Sequence, residues 1–371
     1  MKIGTDQYNT FDTMTMDCWN DRVYYEGKEF PAGQFAAEIL NFAGVIHDPL
    51  LERITVLTAL VDDLSTAEKS KRHDIAAQLK PLLHDTVSWL YTCPPFCYCE
   101  SQGAYGDLEH ALSEERLDRD YEEREEHLPF MALSFCEPIL RILVAIYNFC
   151  LLIRAFEMKY LRGSKQRNAD AFAKAAHECF DEDDSFLNLL EQMPFGGVEE
   201  FFSYPRVITG FKYFQDENDE EKWKTAQRVI CKRAIDFYVF DLMNGLHHGH
   251  APSQCQGCGR YFLTTNGHTP KYCDGVAPQD NRYTCRQYGA MKHQKEQNKQ
   301  HPVYRLFNTR TDTIRKHHRR GKISDELRQE ALCLAGNYRD KALMNNDYAA
   351  DGYARDMELE HIYAEAEKRL K

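Results

Sequence analysis

The sequence reads Cys255-Gln256-Gly257-Cys258, then Lys271-Tyr272-Cys273, then Cys285-Arg286. Two thiolates two residues apart can bind one ion from a tight turn, and a second pair completes a closed tetrahedral site. The alternative is four buried thiols that merely pack, but the cysteines lie among glycines, turn residues and charges rather than in an apolar run. The spacing therefore predicts one structural Zn²⁺ bound by Cys255, Cys258, Cys273 and Cys285.

The residues between these cysteines predict how the pairs are brought together. Residues 261–265 and 269–272 are β-prone and flank Asn266-Gly267, which is a strong turn signal for a hairpin. Such a hairpin would deliver Cys273, and Cys285 would lie at the start of a helix over 286–299. A turn, a hairpin and a helix with the last ligand in its first turn describe a treble-clef finger. His268 is an alternative ligand within the hairpin.

The stretch from Cys255 to about Met344 resembles the C-terminal module of an uncharacterised family of bacterial proteins. The pattern of that module is C-x2-C-G-x-Y-F, then K-Y-C, then a final C-R followed by a basic helical tail. The stretch is also loosely similar to CGNR-type zinc fingers, in which a Phe after the second ligand precedes R-x-C and C-G-N-R. No Gly-Asn-Arg follows Cys285. The resemblance implies a bacterial protein with a zinc finger, and the CGNR likeness implies a DNA-binding role.

The rest of the chain is patterned mainly for helices. We expect a mainly α fold with a multi-helix N-terminal domain over 1–250 and a small treble-clef-like zinc finger (short β-hairpin plus helix) over 251–300. A helical tail that is first basic and then acidic is expected over 301–371. Residues 13–30 are rich in aromatics and predict a short extended or hairpin arm.

Two local patterns in the N-terminal domain make specific predictions. Ser65-Thr66-Ala67-Glu68 has the signature of a capping box that opens a helix. Apolar residues at helical spacing predict one amphipathic helix over 223–246.

The charge is distributed unevenly along the chain. The net charge is −12, yet residues 282–322, which we call the basic strip, contain only Glu296 and Asp312 as acids. Cationic helices can neutralise phosphates, so DNA or RNA is one possible partner. The alternative is that the strip docks on the acidic helical domain or on a protein partner. The candidate nucleic-acid contacts are Arg286, Lys292, Lys295, Lys299, Arg315, Lys316, Arg319 and Arg320.

The number of cysteines and the first residues of the chain indicate the cellular compartment. The chain has 13 cysteines, and residues 1–6 lead into polar sequence without a secretory signal. We therefore expect a cytoplasmic protein with reduced thiols. The apolar run 139–156 is interrupted by Arg141, Asn148 and Arg154, which predicts a buried core helix and no membrane partner.

A second group of thiols, Cys93, Cys97 and Cys99, lies in one short stretch with two prolines. With Cys18 as a fourth ligand it could bind metal, and it could also sense oxidants or simply pack.

The sequence contains no Walker loop, dinucleotide-binding glycine fingerprint, nucleophile elbow or H-E-x-x-H motif. Some nucleases are built on treble clefs with a catalytic His in the hairpin, but the His and Asn that would accompany His268 are not evident. We therefore expect a zinc-binding, non-enzymatic protein that acts through the basic strip, either on nucleic acid or as a protein-interaction adaptor.

Overall fold

The computed structural model describes residues 13–44, 47–99, 110, 112–113, 115, 131–164, 166–191, 206–216, 219–265 and 271–370. The chain divides into two compact units, Met1–Lys271 and Tyr272–Lys371. Its described part is mainly helical and also contains small sheets.

The N-terminal unit contains a five-stranded antiparallel sheet. Its order is β3-β2-β1-β5-β4. Alternate residues of a strand point to opposite faces, and Met14, Met16 and Cys18 of β1 accordingly point into the main core. The strands are β1 (Met14–Trp19), β2 (Arg22–Tyr25), β3 (Lys28–Pro31), β4 (Val207–Asp216) and β5 (Asp219–Cys231).

The sheet corrects two predictions. Residues 13–30 form a meander of three strands, β1 to β3, rather than a separate arm, because β1 pairs with β5 over Met14↔Cys231 to Cys18↔Gln227. The single helix predicted over 223–246 is wrong in its first half, because the chain is a strand up to Cys231 and becomes helical at Ala234. Val229 and Cys231 are buried at the two-residue spacing of a strand, and a longer helical window merges them with the helix that follows.

Seven described helices share one core with this sheet. Its centre is aromatic: the rings of Tyr25 and Phe35 lie 5.5 Å apart and those of Phe35 and Phe237 lie 5.4 Å apart. The helices are α1 (Gln34–Gly44), α2 (His47–Thr66), α3 (Lys69–Leu90), α4 (Met131–Phe156), α5 (Ala169–Phe180), α6 (Asp184–Glu191) and α7 (Ala234–His247).

The capping box predicted at Ser65 does not form. Ser65 and Thr66 lie in the last turn of α2, where their hydroxyls donate to the carbonyl of Asp62 at 2.7 and 3.1 Å. Helix α3 begins at Lys69 after Glu68, whose side chain makes no capping hydrogen bond. The hydroxyls are used to end one helix, so they are not available to start the next.

A buried carboxylate fixes the start of α1. Asp241 of α7 is fully buried and accepts hydrogen bonds from the backbone N–H groups of Gly33 and Ala36, each at 2.9 Å. These groups have no partner within the helix, so the carboxylate satisfies them. Burial raises the pKa of Asp241 to about 7, and the hydrogen bonds from Ala36, Gly33 and Phe35 oppose that rise.

One described helix is long and apolar enough to cross a membrane by length and composition. It is Cys136–Leu161, and 67% of its most apolar window is buried inside the protein. A core helix has the same properties, and Phe149, Leu152 and Phe156 of this helix contribute to the main core.

The C-terminal unit has a short hairpin followed by helices. Its core is formed by residues from Val303 to Ala366, nearly all of them in helices. Among the described side chains of residues 271–300, none belongs to either core, and the apolar ones that are buried are Cys273, Ala277 and Cys285. The elements are β8 (Val276–Ala277), β9 (Asp280–Thr284), α8 (Cys285–Gln300), α9 (Pro302–Arg319), α10 (Asp325–Met344), α11 (Tyr353–Asp356) and α12 (Leu359–Leu370).

Candidate metal centre

The first cysteine pair lies in the turn of a two-stranded ribbon, β6 (Ala251–Gln254) and β7 (Tyr261–Thr264). The N–H of Cys255 donates to the carbonyl of Arg260 at 2.8 Å, and the N–H of Gly259 donates to the carbonyl of Cys255 at 2.9 Å. The N–H of Gly257 also donates to Sγ of Cys255 at 3.3 Å. An N–H directed at sulfur favours the thiolate, which is the form that binds metal.

The ribbon is anchored to the N-terminal unit by a reciprocal pair of hydrogen bonds. The amide of Asn41 in α1 donates to the carbonyl of Tyr261 at 2.9 Å, and its oxygen accepts from the N–H of Tyr261 at 2.6 Å. Arg162 donates to the side chain of Gln254 at 2.8 Å, and Arg167 donates to Thr264 at 3.1 Å. The turn that bears Cys255 and Cys258 is therefore held by its own unit.

The second pair is placed by a hairpin and a helix start. The N–H of Cys285 donates to the carbonyl of Gly275 at 2.7 Å, and the N–H of Arg286 donates to the carbonyl of Cys273 at 3.1 Å. Cys285 is the first residue of α8. The positive end of a helix stabilises a thiolate there, so the position suits a metal ligand.

A capping box fixes the start of α8. The N–H of Thr284 donates to the side chain of Gln287 at 3.0 Å, and the N–H of Gln287 donates to the hydroxyl of Thr284 at 3.2 Å. This reciprocal pair satisfies two backbone groups at the helix start. Cys285 lies between Thr284 and Gln287 in the chain, so these two hydrogen bonds fix the direction of its side chain.

Close packing on a glycine brings Cys273 to the same helix. A Cβ at Gly289 of α8 would lie 2.4 Å from the ring of Tyr272, so only glycine leaves room for that ring. Tyr272 directly precedes Cys273, and the contact therefore fixes where the third cysteine lies.

The four sulfur atoms of Cys255, Cys258, Cys273 and Cys285 lie within 4.8 Å of one another. A tetrahedron with metal–sulfur bonds of about 2.3 Å has sulfur–sulfur edges of about 3.8 Å, so the cluster is close to the size that one ion requires. The four cysteines could hold a metal ion, as their spacing predicts. Among the residues that the structure describes, no other group of three or more Cys, His, Asp or Glu side chains does so.

The ribbon around the first pair differs from the predicted one. Residues 261–264 pair with Ala251–Gln254 upstream, and Lys271 and Tyr272 are not in a strand. Pro252 is tolerated in this ribbon because both of its strands are edges. The predicted turn at Asn266-Gly267 and the alternative ligand His268 lie outside the described residues.

The basic strip lies on α8 and α9. Arg286, Lys292 and Lys295 are exposed on α8, and the side chain of Lys299 lies outside those described. Arg286 forms an ion pair with Asp274 at 3.0 Å. Two exposed partners in water contribute little to stability.

The cations at the end of α9 form the denser part of the strip. Arg315, Lys316 and Arg319 occupy its last turns, Arg320 follows, and all four are exposed. Arg315 pairs with Asp312 at 3.3 Å. Among the described carboxylates of the C-terminal unit, none forms an ion pair with Lys316, Arg319 or Arg320.

The second group of thiols is not gathered into a ligand set. Cys93 is buried and its thiol donates to the carbonyl of Trp89, and Cys99 contacts the hydroxyl of Tyr25 at 3.4 Å. Burial raises the pKa of the Cys97 thiol to about 11 and that of Cys18 to about 12. Thiols that stay protonated are poor nucleophiles, and among the described residues these four do not come together as a metal-ligand group.

Residues 203–369 match the model of a family described as a family of unknown function (DUF6076). The match includes the four cysteines and the basic strip. No curated protein and no solved structure matches the chain. The match confirms that the cysteine module resembles a family of unknown function. The likeness to CGNR-type fingers stays a prediction.

Sequence reasoning missed two features that position the cysteines. The capping box Thr284-Cys285-Arg286-Gln287 has a recognisable pattern and could have been found. The close approach of Tyr272 to Gly289 has no sequence signal, because it joins residues that only the fold brings together.

Proposed function

We propose that the four cysteines bind one Zn²⁺ and that the ion has a structural role. Four thiolates are the donor set of structural zinc sites, and soft sulfur ligands in a tetrahedron select zinc over the hard divalent cations. Four protein ligands also fill the coordination sphere, which leaves no position for a substrate or a water molecule. The ion would therefore fix the fold of residues 271–300 in the manner of a treble-clef finger.

We infer that the protein binds nucleic acid through the basic strip, and that the zinc-bound segment holds α8 in place for this purpose. The observation that carries the proposal is the exposed cluster of Lys316, Arg319 and Arg320, which forms no ion pair with the described carboxylates of its own unit. Guanidinium and ammonium groups in such a cluster neutralise phosphates regardless of base sequence. The expected affinity is salt-sensitive and largely independent of sequence.

The test is equilibrium binding of the full chain to fluorescent duplex DNA and single-stranded RNA, by anisotropy, over a range of KCl concentrations. A protein that neutralises several phosphates gives a linear fall of log K with log salt, with a slope of about −0.9 for each phosphate on duplex DNA. The triple variant Lys316→Ala, Arg319→Ala, Arg320→Ala should bind at least about 10-fold more weakly and reduce the slope by about 3.

A charge-matched control separates the cluster from net charge. Arg355→Ala, Lys368→Ala, Arg369→Ala removes the same charge from exposed positions on α11 and α12, and it should leave affinity within about 3-fold. Absence of saturable binding at low salt, or equal weakening by both triple variants, would overturn the proposal.

The alternative of an adaptor has a different signature. If the strip docks on an acidic protein surface of this chain, charge reversal at Arg315, Lys316, Arg319 and Arg320 should lower the melting temperature of the free protein. The nucleic-acid proposal expects the melting temperature to be nearly unchanged, because these side chains are exposed.

A further inference from the structure

Strand β4 is a long edge of the five-stranded sheet. It has 10 residues and pairs with β5 on one side, and no strand of the described residues pairs with its other side. An edge strand presents unpaired N–H and C=O groups that can accept another strand. Most edges in soluble proteins are short or protected by charge, so an edge of this length needs a physical account.

The side chains of β4 are also unusually apolar for an edge. Phe211 is 73% exposed, Tyr213 is 68% exposed and Ile208 is 53% exposed. Phe211 and Tyr213 point to the same face because they are two residues apart. Trp223 of β5, opposite Gln215, is 65% exposed on that face as well. The hairpin thus presents an aromatic face beside an edge that no described strand covers.

We propose that β4 is a homodimer interface, in which it pairs antiparallel with β4 of a second copy about a two-fold axis at Phe211. In an antiparallel strand, the N–H and C=O groups that point toward one neighbour belong to every second residue. Two copies of β4 can therefore pair only when odd-numbered residues face odd-numbered residues and even-numbered residues face even-numbered ones. A two-fold axis through one residue of β4 satisfies this condition. The result is one continuous sheet across both chains.

The register centred on Phe211 is self-complementary on both faces. On the aromatic face it places Phe211 opposite Phe211 and Tyr213 opposite Thr209. On the other face it places Ile208 opposite Phe214 and Lys212 opposite Gly210, where the glycine leaves room for the longer side chain. Lys212 is the one charged residue among the described side chains of β4, and in this register it faces a glycine rather than another lysine.

Neighbouring registers are less complementary. An axis at Lys212 would place two lysines opposite each other, which is unfavourable. An axis at Gly210 would place Lys212 opposite Ile208 and Arg206 opposite Phe214. The register at Phe211 places Phe211 opposite itself and Ile208 opposite Phe214 without bringing like charges together, which is the reason to favour a second copy of this chain over an unrelated peptide.

The experiment measures the mass of the full chain by sedimentation velocity from about 1 to 100 μM. The wild type should approach the mass of two chains, each of 43.3 kDa, as its concentration rises. Phe211→Lys and Phe211→Glu should each be monomeric over that range, because they place like charges directly opposite each other. An equimolar mixture of the two variants should dimerise again, since the opposite charges then meet.

Trp223→Lys is the matched control, since it replaces an exposed aromatic on the same face but not on the edge strand. It should retain the dimer within about 3-fold in dissociation constant. A wild type that stays monomeric at 100 μM would overturn the proposal, as would a dimer that survives Phe211→Lys. Failure of the mixture to dimerise, or equal loss with Trp223→Lys, would also overturn it. Retained circular dichroism of each variant confirms that folding is unchanged, as exposure of Phe211 predicts.

Discussion

The N-terminal unit and the segment 271–300 are held together by different means. The N-terminal unit buries a continuous core of aromatic and aliphatic side chains from a sheet and seven described helices. In the segment, the buried apolar side chains are Cys273, Ala277 and Cys285. Burial of apolar surface can stabilise the first region but is too small in the second, so the second needs another source of free energy. The proposed metal ion would supply it.

The largest expected effect comes from breaking the metal site. Cys258→Ser should remove one of four ligands and unfold residues 271–300, because metal binding at finger-sized sites supplies on the order of 10 kcal/mol of folding free energy. Hydrogen exchange measured by mass spectrometry should show lost protection there and unchanged protection in α1, α4 and α7. The control Cys333→Ser replaces an exposed thiol of α10 and should change nothing. Retained protection of 271–300 in Cys258→Ser would show that the segment does not depend on metal.

The converse experiment weakens the N-terminal unit and spares the metal site. Asp241→Ala leaves the N–H groups of Gly33 and Ala36 buried without their acceptor, which should cost about 2–4 kcal/mol. Urea unfolding can be followed by tryptophan fluorescence, because Trp19, Trp89 and Trp223 all lie in this unit.

Asp181→Ala serves as control for that measurement, since Asp181 is exposed and pairs with His177, which is also exposed. It should cost less than about 1 kcal/mol. Equal effects of the two substitutions would argue against the capping role of Asp241.

The pH dependence of the N-terminal unit sharpens the same contrast. Burial raises the pKa of Asp241 to about 7, so the folded state binds this proton more tightly than the unfolded state. The resulting stabilisation is complete below about pH 4 and is lost as the pH rises through about 7. The free energy of unfolding of wild type should therefore fall over that window relative to Asp241→Asn, which has no proton to lose. Parallel pH curves for the two proteins would contradict the raised pKa.

A smaller effect is expected at the contact between Tyr272 and α8. Gly289→Ala places a methyl group where the ring of Tyr272 lies, which should displace Cys273 and weaken zinc affinity about 10- to 100-fold. Gly336→Ala is the matched control, because that helical glycine has open space around its Cα. The control should keep zinc affinity and gain up to about 1 kcal/mol from helix propensity. Competition with a chromophoric chelator measures both affinities, and equal values would refute the packing role of Gly289.

The smallest effect is expected at the capping box. Thr284→Ala removes one reciprocal hydrogen bond at the start of α8 and should cost about 1 kcal/mol, seen as a zinc affinity lower by about 5-fold. Ser324→Ala removes the cap of α10 at a similar cost to its own helix, and it should leave zinc affinity unchanged. If both variants lowered zinc affinity equally, the cap at Thr284 would have no special relation to the site.

The four cysteines that could hold a metal ion were predictable because a metal requires donor residues at short spacing, and the C-x2-C spacing is visible in the sequence itself. The start of α8 at Cys285 was predictable for a similar local reason. The partner of β7 was not, because strand pairing depends on residues that local patterns do not relate. Pro252 argues against a strand at this place in the sequence, although the edge of a two-stranded ribbon tolerates a proline.

The strand β5 was missed for another physical reason. The strand lies in a hairpin that is exposed over much of its length. Exposed residues such as Thr225 and Gln227 therefore alternate with buried residues only at the end of β5 that pairs with β1. Its apolar residues run directly into those of α7, and the combined pattern fits helical spacing. Pairing with β1 and β4 makes these residues a strand rather than part of a helix.

The most direct test of the metal centre is zinc-edge X-ray absorption on the purified full chain, together with metal analysis. The account predicts one zinc per chain with four sulfur neighbours at about 2.3 Å. A chain that carries no stoichiometric metal, or an ion with a nitrogen or oxygen ligand in place of one sulfur, would contradict it.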